Sequence, residues 1–238
     1  MTEHTVSAYE NELKGLAQRV AEMGGLAEKQ IVGSIDALMR NDHALAQQVR
    51  AADGQVDALQ REIEEVGILI IAKRQPMAID LREIVGALRI AADLERIADL
   101  AKSNAKRVLA MNGTQSLPKV TGGFDAMARL AMERVKQVLD AYAQRDVAAA
   151  LEVWGADGDI DALYNSLFRE LLTYMLEDPR NIGPCTHLLF CAKNLERIGD
   201  HATNIAETIH YEITGGDMYG ERPRLSALPS EPDFKADS

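Results

Sequence analysis

The 238-residue chain carries 26 Lys and Arg against 37 Asp and Glu, and its net charge of −11 argues against the basic surface that nucleic-acid binding requires. The same charge disfavours attraction to anionic lipid, and no apolar run is long enough to span a bilayer. Hydrophobic content of 47% suits a globular core, aromatics are scarce at 5%, and the dominance of Ala, Leu, Ile, Glu and Arg favours helix.

Taken in chain order, the first helix is predicted from about Val6 to Met39, with Leu13, Leu16, Val20, Met23, Ile31, Ile35 and Leu38 as its apolar stripe. Gly24-Gly25 weakens its middle and is expected to bend it. Asn41-Asp42 breaks the chain and caps a second helix that runs through Val56, Leu59, Ile63, Val66 and Ile70 to about Lys73. Gln75-Pro76 ends it, and Pro76 suits the opening turn of the third helix, which carries Leu81, Ile84, Val85, Leu88 and Ala92 on to Glu95 and Asp99. Asn112 to Gly123, with Pro118, reads as a linker. A fourth helix from about Phe124 to Ala143 is followed by one continuous helix, capped by Asp146, through Ile160, Leu163, Leu167 and Leu171 to about Glu177. Asp178-Pro179 turns the chain, and the last helix spans about Gly183 to Ile213. Beyond Gly215-Gly216, Pro223, Pro229 and Pro232 mark a tail.

The second half repeats the first. Asp42, Asp53, Asp57 and Leu59 recur 104 residues later as Asp146, Asp157, Asp161 and Leu163. Leu94-Glu95-Arg96-Ile97-Ala98-Asp99 recurs 101 residues later as Leu195-Glu196-Arg197-Ile198-Gly199-Asp200. A period near a hundred residues exceeds a solenoid unit and indicates a duplicated domain. The expected fold is all-α: two tandem antiparallel three-helix bundles, with residues 1–113 as the first, 114–122 as linker, 123–216 as the second and 217–238 as tail.

Four acidic pairs at a spacing of four residues stand out: Asp53 and Asp57, Glu95 and Asp99, Asp157 and Asp161, Glu196 and Asp200. Residues four apart share a helix face, and like charges there repel. In an antiparallel hairpin, Asp57 and Glu95 are equidistant from Pro76, as are Asp53 and Asp99. In the second half, Asp161 and Glu196, and likewise Asp157 and Asp200, are equidistant from the turn at Asp178-Pro179. Each hairpin therefore levels four carboxylates, roughly 28 Å from its turn, at the partly accessible rim of its bundle. Such a cluster must take up protons or bind a cation. All-oxygen ligation selects Mg²⁺, Mn²⁺, Ca²⁺ or iron over zinc, with divalent or trivalent Mg, Mn and Fe foremost. Asp93 has Asn194 as its counterpart and so is a weaker ligand candidate. Arg96 and Arg197 suit salt bridges on an adjoining face. His43, His187, His201 and His210 show no ligand spacing, and only His201, beside Asp200, stands apart. Cys185 and Cys191 read as buried fillers and fit a reducing compartment. Trp154 reads as an anchor for the inter-helix turn. The N-terminus lacks a signal-peptide pattern, so the cytoplasm is the expected location.

Asp80-Leu81-Arg82 after Gln75-Pro76, then Asp93-Leu94-Glu95-Arg96-Ile97-Ala98-Asp99, resembles the PhoU family of phosphate-transport regulatory proteins. The run Asn194-Leu195-Glu196-Arg197-Ile198-Gly199-Asp200-His201-Ala202-Thr203-Asn204-Ile205-Ala206-Glu207 is similar to that family's second signature. Ala98 stands where Gly is usual, and Ser103-Asn104 where Asn-Ile is commoner. The resemblance covers the chain apart from the tail. It implies two three-helix bundles with surface metal clusters, whose ligands by position would be Asp53, Asp57, Glu95, Asp99, Asp157, Asp161, Glu196 and Asp200. It also implies a non-enzymatic, dimeric negative regulator of the phosphate-starvation response, partnered by the ATPase-driven phosphate ABC transporter and a phosphate-responsive sensor histidine kinase. Two alternatives stay open: a di-metal carboxylate oxygenase or ferroxidase, which the absence of a Glu-x-x-His motif disfavours, and an accessory protein of a secondary phosphate transporter.

Overall fold

The computed structural model describes residues 2–111, 121–156, 158–216 and 218. They form helices α1 (Thr2–Arg40), α2 (His43–Arg74), α3 (Ala78–Ala110), α4 (Thr121–Gln144), α5 (Val147–Gly155), α6 (Gly158–Glu177) and α7 (Ile182–Thr214), with a 3₁₀ turn at Pro179–Asn181. No strand occurs among the described residues, and none of their helices is long and apolar enough to cross a membrane.

Local chemistry sets the boundaries. Asp42 caps α2 by accepting from the Leu45 amide at 3.0 Å, and Asp146 caps α5 by accepting from the Ala149 amide at 3.1 Å. The residue before each cap, Asn41 or Arg145, has a left-handed backbone (φ 51° and 54°), which closes the preceding helix. Gln75 caps the end of α2 in the same region, with its amide bonded to Ile71 O.

The two repeats lean on one another through α3 and α7, the most extensive pairing in the molecule, supported by contact between α1 and α4. The two central helices run antiparallel. Arg107 stacks on Phe190, Asn194 bonds Asn104, Asp93 accepts from Asn204, and Arg89 lies over Tyr211, in that reversed order. α2 flanks α3 on one side, and α5 and α6 flank α7 on the other. One continuous apolar core threads both repeats, from Leu16 and Met23 through Leu94 and Ile97 to Leu195 and Ile198.

Several expectations need correction. The fifth predicted helix is two, since α5 ends at Gly155 and α6 begins at Gly158. Gly155 replaces Ala51 of the first repeat, and with Gly158 it puts two residues of poor helix propensity into three steps. α1 runs unbroken through Gly24, where a Cβ would stand 2.7 Å from Leu139 Cδ2, so the glycine admits the close approach of α4. Pro76 lies in the connection ahead of the Met77 cap, outside the opening turn of α3. α4 starts at Thr121, three residues before the expected Phe124. The tail from 217, save Met218, and linker residues 114–120 lie outside the described residues.

Candidate metal-binding clusters

In the first repeat, α2 and α3 bring the expected carboxylates together, and they also bring a cation that the spacing argument missed. Lys102, one turn beyond Asp99 on α3, donates from Nζ to Asp53 Oδ2 across the helix pair and to Asp99 Oδ1 at 3.2 Å. Asp53 is only 6% exposed, so the cluster reaches deeper than the predicted rim. These bonds hold the Lys102 ammonium above its ordinary range, Asp53 foremost. Burial, then the Asp99 carboxylate, push Glu95 above the usual carboxylate range, with Asp57 adding and Arg96 opposing. Arg96 does not reach an adjoining face but sits 3.4 Å from Glu95 itself.

In the second repeat, Asp161 lies in the first turn of α6, while Glu196 and Asp200 lie on α7. Ile160 drives that turn against α7, its Cδ1 2.6 Å from where a Cβ on Gly199 would stand. The position matching Lys102 is Thr203, which is buried and donates its hydroxyl to Gly199 O at 3.2 Å. Lys193 approaches from outside, half exposed, and bonds Glu196 Oε1 at 2.6 Å. The other oxygen, Glu196 Oε2, is buried without a hydrogen-bond partner. Asp157 lies outside the described residues.

Among the described residues, no three or more Asp, Glu, His or Cys side chains stand together as an ion needs. In the first cluster the Lys102 ammonium already bridges two of the four carboxylates, a donor set that does not fit a metal as it stands. The second offers carboxylate oxygens of the kind a hard ion takes, and one of them, Glu196 Oε2, is buried without a hydrogen-bond partner.

Between the clusters runs a polar seam from residues given other roles by the sequence. His201 Nδ1 pairs with Asp93 Oδ1 at 2.8 Å, so both join the repeats instead of ligating. Trp154 donates to Glu207 Oε1 at 3.1 Å, which ties α5 to α7. Alongside opens a cleft of about 670 Å³ lined by Arg89, Arg96, Asn204 and Tyr211 among others. Cys185 and Cys191 are both buried free thiols, as expected. At the lower end of the seam, Glu212 is 3% exposed and shares Arg145 with Glu83, at 3.2 and 3.1 Å. No repeat or spacing argument pointed to it, because the three side chains come from three separate segments.

The duplicated architecture agrees with comparison to known proteins. The PhoU domain model matches twice, at residues 20–108 and 124–209. The phosphate-specific transport system accessory protein PhoU homolog of Rhizobium meliloti is 58% identical over 221 residues, 93% of each chain. Its namesake in Caulobacter vibrioides is 51% identical over 228 residues, covering 96% of this chain and 99% of the relative. The crystal structure of PhoU from Pseudomonas aeruginosa superposes with a TM-score of 0.84 at 38% identity, covering 87% of this chain and all of that one. PhoU from Streptococcus pneumoniae gives 0.81 at 26% identity, covering 89% and 99%. With both repeats matched, in sequence along nearly the whole chain and in the packing of the helices, this chain belongs to the PhoU family.

Proposed function

We propose that this chain is a non-catalytic adaptor that represses phosphate uptake and the phosphate-starvation response, acting as a cytoplasmic homodimer between the ATPase subunit of a phosphate ABC transporter and a sensor histidine kinase. The observation that carries this reading is the pair of PhoU domains in a chain matched end to end by relatives named phosphate-specific transport system accessory proteins. Exposed apolar side chains at both hairpin tips support a docking role: Met77 (81%) and Ile79 beside one turn, Leu176 (86%) and Ile182 beside the other.

The second acidic cluster holds the metal, with Asp161, Glu196 and Asp200 as ligands and Asp157 completing the set. A hard divalent or trivalent ion, Mg, Mn or Fe, neutralises these carboxylates and ties α6 to α7 when bound.

Deleting the gene and following a phosphate-responsive reporter tests the role. The reporter should fire in phosphate-rich medium and fall silent again when the wild-type chain is restored. A deletion strain that still represses the reporter in rich medium would refute the adaptor reading.

A further inference from the structure

We propose that Lys102 is a built-in counter-ion that closes the first acidic cluster to metal, so that any ion the protein takes up is held elsewhere. This deepens the metal reading above, and rests on it only for the second cluster.

The argument starts from where the ammonium sits. Lys102 Nζ bridges Asp53 of α2 and Asp99 of α3, the residues that the hairpin sets level with each other. It is three-quarters buried, and Asp53 is almost wholly so. An ion bound by the same two carboxylates would meet a positive charge within a few ångströms in a poorly screened place, where like charges repel far more than in water. Displacing the lysine would be no easier, because its backbone is fixed one turn from Asp99. Its local concentration at the site is that of a tethered ligand, and a freed ammonium would have to leave a buried salt bridge.

The second repeat lacks this device. Thr203 occupies the matching position, brings no charge, and donates its hydroxyl to Gly199 O. Lys193 does not replace it. It is half exposed, pairs with one carboxylate while its ammonium lies over the Tyr164 ring of α6, and leaves Glu196 Oε2 unpartnered.

The test is Mn²⁺ stoichiometry on the full-length protein, stripped with chelator and titrated under electron paramagnetic resonance. Wild type is compared with Lys102→Met, which keeps the stem and removes the charge, with Lys102→Arg, which keeps the charge, and with the double variant Glu196→Gln, Asp200→Asn. Lys102→Met should bind at least one more Mn²⁺ than wild type, while Lys102→Arg should not. Its melting temperature should drop without metal and recover with Mn²⁺, because the ion takes over the lysine's duty. If Lys102→Met folds only in the presence of Mn²⁺, that too supports the proposal. Equal stoichiometry in wild type and Lys102→Met overturns it, as does failure of Lys102→Met to fold even with Mn²⁺. It is also overturned if the double variant, with the second cluster disabled and Lys102 intact, still takes up Mn²⁺. Wild type binding no Mn²⁺ while Lys102→Met gains a site would sink the second-cluster reading and leave this proposal standing.

Discussion

Gly199 and Ile160 show how closely the repeats are matched atom by atom. The side chain of Ile160 fills the space where a Cβ on Gly199 would lie, at 2.6 Å. At the corresponding positions of the first repeat stand Val56 and Ala98, both fully packed. One partner is a methylene smaller and the other a methyl larger, so the pair conserves volume. The departure of Ala98 from the family's glycine is thus offset inside the same repeat. Gly199→Ala alone should overpack the α6–α7 contact and cost about 1–3 kcal/mol. Adding Ile160→Val should restore most of that loss and leave about 1 kcal/mol or less. Urea midpoints of the single and double variants measure the coupling, and additive losses would show that the two sites do not communicate. The ligand candidates illustrate the limit of such reading. Register alone placed Asp53, Glu95 and Asp99 together, because hairpin geometry turns sequence spacing into height. Lys102 escaped the argument because a search for anions gives no weight to a cation one turn away, although its replacement by Thr203 was visible as a break in the repeat.

At the level of elements, helix ends were legible from caps and turns, since Asp42, Asp146 and Asp178 accept from amides two or three residues on, and the Gln75 amide donates to Ile71 O four residues back. The division of the fifth helix was not, because the apolar stripe runs through it uninterrupted and helix propensity is the only warning. That division sets up a contrast. α2 has 32 residues and α5 has nine, yet both start from an aspartate that bonds the amide three residues on. Replacing either cap by alanine should cost about 1 kcal/mol. The consequences should differ in extent, because a helix well below about 12 residues has little propagation energy to resist fraying. In hydrogen exchange, Asp146→Ala should speed amides along all of α5, whereas Asp42→Ala should affect only the first turn of α2. Equal, local effects in both would mean that α5 is held by its packing on α7, with Trp154 bonded to Glu207, and not by its cap.

For the molecule as a whole, the question is what locks the repeats together, and the buried end of the α3–α7 seam gives a pH-dependent answer. Glu212 lies against the α3 backbone, its Oε2 2.7 Å from where a Cβ on Gly86 would be, and that oxygen has no partner. Its other oxygen meets Arg145, whose guanidinium also serves Glu83, while the buried Tyr142 and the Arg82 bond to Glu212 O complete the surroundings. Burial outweighs the shared arginine, and the nearby Glu83 adds to it, so Glu212 is pushed up to about 7. Between about pH 4.5 and 7 the folded chain therefore holds a proton that the unfolded chain has released. Stability must fall as pH rises through that window and level off above it. The half-exposed Arg145 softens the effect, so about 3 kcal/mol is an upper bound. Glu212→Gln carries no charge to bury and keeps an oxygen for Arg145. It should match wild type within about 1 kcal/mol near pH 4.5 and exceed it at pH 8. Arg145→Met should act in the opposite sense, destabilising most at pH 8, where Glu83 and Glu212 would face each other without a cation. Urea unfolding of the three chains at pH 4.5, 6 and 8 gives the answer directly. Parallel curves for wild type and Glu212→Gln would mean that the carboxyl titrates as it does in solvent, and that the link between the repeats owes its pH dependence to other groups.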